Sequence, residues 1–143
     1  MKKVIVILLF FICSDTKSQV SDSTIQLHNF LKTWWGVPYR WGGETKKGID
    51  CSAFVREMQE TLHDKRIPRT SREQYRFVEK IQKEELRTGD LVFFKSSNGF
   101  WHVGYYLFDS LFAHSSNTLK KVSISSLTEP RYGSMWFSQG RVN

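Results

Sequence analysis

A chain of 143 residues has room for one hydrophobic core and no second one of ordinary size. Its 11 Phe, 5 Trp and 5 Tyr supply large apolar areas for that core, and 24% charged residues exclude a membrane-embedded body or a disordered chain. The net charge of +7 favours anionic polymers, but the basic residues are scattered rather than gathered in a run, so no nucleic-acid partner is expected.

The chain begins with Lys2 and Lys3, followed by the apolar run Val4 to Ile12, which is too short to span a bilayer as a helix and reads as an export signal. One ending of that signal is a short polar stretch, Cys13 to Ser18, cut ahead of Gln19. The other makes Cys13 a lipid-bearing N-terminus, although the bulky Ile12 before it suits that processing poorly, and simple secretion is favoured. Residues 1–18 are therefore read as the signal and 19–143 as a single folded domain, exported to the cell envelope, the periplasm or the medium. A membrane anchor is expected only if Cys13 is lipidated. Either ending leaves Cys51 as the lone thiol of the folded part, so no intramolecular disulfide can form.

From Asp22 to Trp35, the apolar residues Ile25, Leu27, Phe30, Leu31 and Trp34 repeat at helical spacing, with Ser21 or Asp22 as N-cap and Gly36 and Pro38 as stop signals. The stretch from Gly36 to Gly48 is rich in turn formers and predicts a loop. Phe54, Val55, Met58 and Leu62 then mark a second helix, which places Asp50 or Cys51 at its N-terminus. Ser71 and Gln74 have capping-box spacing and predict a short third helix. Beyond the turn at Thr88-Gly89-Asp90, Leu91–Phe94 reads as a buried strand, Trp101–Leu107 and Leu111–Ser115 as a hairpin, and Val122–Ile124 and Ser134–Phe137 as further strands. Helices first and antiparallel strands afterwards describe an α+β domain.

At a helix start, free backbone N–H groups and the helix dipole favour negative charge, so Cys51 is expected to have a lowered thiol pKa, and the same N–H groups could hold an oxyanion. A thiolate nucleophile also needs a proton carrier for the leaving amine, a task suited to His. His28 and His63 have adequate structural roles within helices. His102 and His114 fall on the two strands of one hairpin. A hairpin centred on Phe108 would make them opposite partners on one face, whereas a two-residue turn at Asp109-Ser110 would break that pairing. Tyr39, Asp50 and Ser52 read structurally as a buried ring, a helix cap and a first-turn residue. A zinc site of Cys51, His102 and His114 is a weak alternative, because local paired spacing is absent.

Gly36-Val-Pro-Tyr-Arg-Trp-Gly-Gly43, Asp50-Cys-Ser-Ala-Phe-Val55, Pro68-Arg-Thr-Ser71, Gly89-Asp-Leu-Val-Phe-Phe94, His102-Val-Gly-Tyr-Tyr106 and Phe112-Ala-His114 resemble, in order and spacing, the NlpC-like family of cell-wall cysteine peptidases. The resemblance runs from Gly36 to about Arg141. It implies a papain-like fold, with N-terminal helices packed on an antiparallel sheet and the nucleophile at a helix N-terminus. It also implies hydrolysis of peptidoglycan stem peptides, typically between D-γ-glutamyl and the following diamino acid, without metal or organic cofactor and by a monomer. Position by position, Cys51 matches the nucleophile, His102 the base and His114 the residue that orients it. Tyr39 matches a tyrosine beside the site, and Asp50 and Ser52 match flanking positions that can bind substrate. Ala53 stands where many relatives have Gly. A catalytically silent wall-binding module, or an amidase acting on another wall amide, is the competing reading. Arg40, Trp41, Arg69 and Trp101 are expected to line the groove.

Overall fold

The computed structural model describes residues 21–143; the expected export signal, with Cys13, lies outside the described residues. Helix α1 (Asp22–Trp34) starts at Ser21, whose side chain accepts from the Thr24 N–H, and buries Phe30 and Trp34. Helix α2 (Cys51–His63) starts at Asp50, whose carboxylate accepts from the Ala53 N–H at 2.8 Å, and ends at Asp64 in a left-handed conformation (φ 53°). Between them, strands β1 (Glu44–Thr45) and β2 (Gly48–Ile49) form a small hairpin inside the predicted loop.

Helix α3 (Ser71–Phe77) begins one residue earlier in its capping pattern than the sequence suggests. Its N-cap is Thr70 and its reciprocal partner is Glu73, not Ser71 and Gln74. Gln74 is fully buried instead, and its amide donates to Ser52 O (2.9 Å) and Pro68 O (2.8 Å), which ties α3 to the start of α2. Tertiary hydrogen bonds therefore override the local spacing.

Strands β3 (Glu79–Lys80), β4 (Leu91–Lys95), β5 (Trp101–Tyr106), β6 (Leu111–Ser116), β7 (Lys121–Ser126) and β8 (Trp136–Arg141) form one antiparallel sheet in the order β3-β8-β4-β5-β6-β7. The expectation of strand at Ser134–Phe137 is corrected at its first half: helix α4 (Pro130–Met135) runs through Met135, and β8 begins at Trp136. Pro130 in the first turn, where its missing N–H is harmless, starts that helix.

The sheet buries both faces. Phe54, Val55 and Met58 of α2 pack against Phe93, Val103, Tyr105 and Ala113 on one side. On the other, Val92, Phe94 and Phe112 pack with Leu127 and Tyr132. Strand alternation puts His102 and His114 on this second side, among the rings of Phe94, Phe112 and Tyr132. The class is α+β, as expected.

Candidate active site

The loop after α1 is pinned to strand β7: the Gly36 N–H donates to Val122 O (3.1 Å), Val122 N–H to Val37 O (2.8 Å) and Tyr39 N–H to Lys120 O (2.9 Å). Tyr39 is thereby set beside β2, bridging to Ile49. At Gly43 the chain passes so close to the Gly48 carbonyl that any Cβ would collide with it. Gly42, at φ +71°, turns its N–H onto the Asp50 carboxylate (3.0 Å).

Asp50 is the hub of the helix start. Besides the Ala53 and Gly42 N–H groups, it accepts from the Ser52 hydroxyl (3.1 Å) and from two nitrogens of Arg69 (3.0 and 2.7 Å). Arg69 also donates to Ser52 Oγ (3.0 Å) and to Glu44 (2.5 Å). The bidentate pair fixes the α3 approach against the N-terminus of α2. Asp50 and Ser52 therefore lie at the site, with their polar atoms engaged inside the protein.

Cys51, Tyr39, Asp50, Ser52, Arg69 and Trp101 border a cleft of about 200 Å³, and Trp41 stands on its rim at 76% exposure. Three of the four expected groove residues, Trp41, Arg69 and Trp101, thus line it. Arg40 lies with its aliphatic stem along Gly48.

Pairing between β5 and β6 stops at Tyr105↔Ala113, so the two strands part toward the site. The chain entering α2 sits at that parting, where the Ser115 hydroxyl donates to Ile49 O (2.7 Å) and the Val103 backbone N–H acts on the Cys51 sulfur. Cys51 is only 5% exposed. The expectation of a lowered thiol pKa is corrected here. Burial pushes Cys51 up to about 12, outweighing the Val103, Ser52 and Cys51 N–H groups that pull it down, while the Asp50 charge adds to the rise.

The hairpin register also differs from the expected one. Tyr106 pairs with Phe112, and Asp109 and Ser110 form the turn, both at positive φ, with Phe108 as an extra residue before it. His114 is therefore diagonal to His102, not opposite it. The shift is by two residues, so both side chains stay on one face. His102 Nε2 and His114 Nδ1 are 2.8 Å apart, and His114 Nε2 lies 3.0 Å from Ser125 Oγ. His102 Nδ1 is buried with no hydrogen-bond partner among the described residues.

Two tautomer assignments satisfy this row. In the one a general base needs, His114 Nε2–H donates to Ser125, His102 Nε2–H donates to His114 Nδ1, and His102 Nδ1 keeps its lone pair; in the reverse one Ser125 donates to His114 and His102 Nδ1 carries the proton. Burial, reinforced by the charge of Arg131, pushes His102 down to about 4, and burial followed by His102 holds His114 well below the ordinary range. Both imidazoles are neutral at pH 7. The Tyr39 hydroxyl is likewise buried without a partner and raised to about 12, first by burial, then by the nearby Cys51 and Asp50. It remains a hydrogen-bond donor.

With the first assignment the site holds a neutral thiol, an imidazole with an open acceptor, and donors at Tyr39 and the helix start, a set suited to acyl transfer. Sequence reasoning missed Ser125; its only signal was strand alternation with Ser123 on β7. Among the described residues no three His, Cys, Asp or Glu side chains are grouped to hold a metal ion.

The NlpC/P60 family model matches residues 36–141. The chain is 38% identical over 128 residues to the murein DD-endopeptidase MepS/murein LD-carboxypeptidase of Escherichia coli, covering 90% of this chain and 64% of that protein. It is 44% identical over 115 residues to a probable endopeptidase NlpC homolog of Haemophilus influenzae, covering 80% and 60%. It thus spans less than two thirds of the length of either curated relative. Among solved structures, an NlpC/P60 family protein from Bacillus cereus superposes with a TM-score of 0.73 at 34% identity, over 82% of this chain and 39% of that one. A Staphylococcus aureus protein similar to a lipoprotein of the NLP/P60 family gives 0.73 at 27% identity, over 90% and 45%. The expected papain-like arrangement is the fold these chains share.

Proposed function

Because this chain belongs to the NlpC/P60 family, we propose that it is a cysteine peptidase acting on peptidoglycan, with Cys51 as nucleophile, His102 as general base and acid, and His114 as the residue that orients His102. The observation that carries this reading is the open Nδ1 of His102, at the free end of the row it forms with His114 and Ser125.

With the thiol raised and the imidazole lowered, a resting thiolate–imidazolium pair is disfavoured, so proton transfer accompanies attack. As the Cys51 sulfur bonds to the substrate carbonyl carbon, its proton passes to His102 Nδ1. The carbonyl oxygen gains the charge and is met by the Tyr39 hydroxyl and the N–H groups at the start of α2. The C–N bond then breaks, and His102 returns the proton to the leaving amine. Water attacks the thioester, giving one proton to His102, and the acid is released as the sulfur recovers that proton. No metal or organic cofactor enters these steps.

The target proposed is the stem-peptide bond between D-γ-glutamyl and the following diamino acid. The name of the E. coli relative supports a second reading, cleavage of D,D or L,D bonds. We place the activity in the cell envelope, in a monomer with one catalytic domain at 19–143 preceded by an export signal. Asp50 and Ser52 are assigned to the substrate-binding rim, held in place by Arg69.

Incubating the protein and Cys51→Ala with a defined muropeptide set, and identifying products by mass spectrometry, tests both parts. The product masses assign the bond. Equal product from the two proteins would end the cysteine mechanism, and intact wall binding without any product would favour a silent binding module.

A further inference from the structure

Besides the Cys51 cleft there is a second hollow of about 230 Å³, bordered by His102 and not by Cys51. The rim between the two is aromatic. Trp41, from the first, meets Phe100, from the second, at 6.0 Å between ring centroids, and Phe100 stacks on His102 at 6.5 Å.

The polar lining of the second hollow is one-sided. Arg131, at the start of α4, opens onto it, and no Asp or Glu does. Among the described residues the Arg131 guanidinium has neither ion pair nor hydrogen bond; only its carbonyl is engaged, accepting from Ser134 Oγ at 3.0 Å. Asn98 and Asn117 border the same space. Each uses its side-chain oxygen internally: Asn98 accepts from Ser96 Oγ and the Phe100 N–H, and Asn117 from Thr118 Oγ1. Neither amide nitrogen has a partner among the described residues. Three donor groups and no acid therefore face one hollow beside an imidazole that must become positive during turnover. An unmatched arginine opposes that charge; a ligand anion on the arginine would offset the opposition.

Which part of a substrate reaches the hollow follows from the roles proposed above, on which this inference rests. The acyl carbon must sit on Cys51, which borders the first cleft and not the second. The departing nitrogen must sit at His102, which borders the second. We propose that the second hollow is a carboxylate subsite on the leaving-group side, where Arg131 and the amides of Asn98 and Asn117 hold a free carboxylate borne by the amino acid whose nitrogen departs. The subsite makes the protein prefer bonds followed by a residue with an unblocked acid group.

The test uses two muropeptide substrates alike in all but the departing residue, which ends in a carboxylate in one and a carboxamide in the other. kcat/KM is measured for the full protein, Arg131→Gln and Arg131→Lys. The protein should favour the carboxylate by about tenfold or more, the worth of a charge-assisted hydrogen bond. Arg131→Gln should bring the ratio close to one, and Arg131→Lys should keep part of it. The kinetic ratio also carries the carboxylate's effect on the His102 charge, so the subsite itself is read by binding, where no proton moves. No preference in the starting protein, or an equal preference in Arg131→Gln, overturns the proposal. Calorimetric binding of the same pair to Cys51→Ala, with and without Arg131→Gln, is the second arm. If neither substrate is cut, the peptidase reading fails on its own, while this arm still decides the subsite. A carboxylate preference that disappears with Arg131→Gln supports it, and equal binding of the two overturns it.

Discussion

The two ends of helix α2 both bring an ionisable side chain against strand β5, with opposite results. At the C-terminal end, His63 stacks on Tyr105 with centroids 6.0 Å apart, and its Nε2 shares a 2.8 Å hydrogen bond with the Tyr105 hydroxyl. Burial lowers His63, helped by Lys65, and raises Tyr105, so both are neutral and each satisfies the other. At the N-terminal end, His102 Nδ1 and the Tyr39 hydroxyl are buried with no partner among the described residues. An unpaired buried polar atom costs about 1–3 kcal/mol. The same side-chain types are thus closed on themselves at one end and left open at the other. The open end is where a substrate can supply the missing partners.

The strongest test of this contrast is catalytic. Cys51→Ala or His102→Ala should lower kcat by roughly 10⁴-fold or more, because members of a nucleophile–base unit act together. His63→Ala should change it by no more than about twofold. A loss at His63 comparable to that at His102, measured on the same muropeptide, would erase the distinction between the two ends.

Stability should separate them next. Arg69→Met leaves the buried Asp50 carboxylate without its bidentate partner and should cost about 3 kcal/mol in urea unfolding. Adding Asp50→Asn should recover part of that loss. No loss in the single variant would mean that the ion pair does not hold the helix start.

Acid should act on a similar scale. His102 is pushed from its ordinary 6.5 down to about 4, so between those values the unfolded chain binds more protons than the folded one. The contribution is complete above pH 6.5 and is lost as pH falls to about 4, by up to about 3 kcal/mol for this group alone. The fall in Tm with acidification should flatten in His102→Gln far more than in His63→Gln. Equal slopes in the two variants would contradict the burial difference.

The smallest effect sharpens the row itself. Ser125→Ala should lower kcat by about tenfold or less, leave KM little changed and shift the acid limb of the pH–rate profile, since Ser125 acts only through His114. Ser125→Thr, which keeps the hydroxyl, should restore the profile if its side chain fits the buried position. A change in KM alone would assign Ser125 to substrate contacts instead.

Much of this architecture was legible in the residues. The stripe Phe54, Val55 and Met58 located α2, and Asp50 located its cap, because periodicity and capping act over a few residues. His102 and His114 were placed on one face by strand alternation, which survived a register error of two residues because only an odd shift changes face. The capping box at α3 was misplaced by one because Gln74 is held by carbonyls outside its own helix. The strand over Ser134 and Met135 was misread because Pro130 had already started a helix.

By itself, then, the sequence determined that the Cys51 thiol stands at a helix start and that two imidazoles share one face of a later hairpin, since these depend on neighbours close along the chain. Only the tertiary structure decided the protonation of those groups, the Ser125 end of the row, and the pairing of Asp50 with Arg69. Helix position alone would lower the thiol pKa. Burial by segments distant in sequence raises it, because removing water from an ion outweighs the few N–H groups that face it.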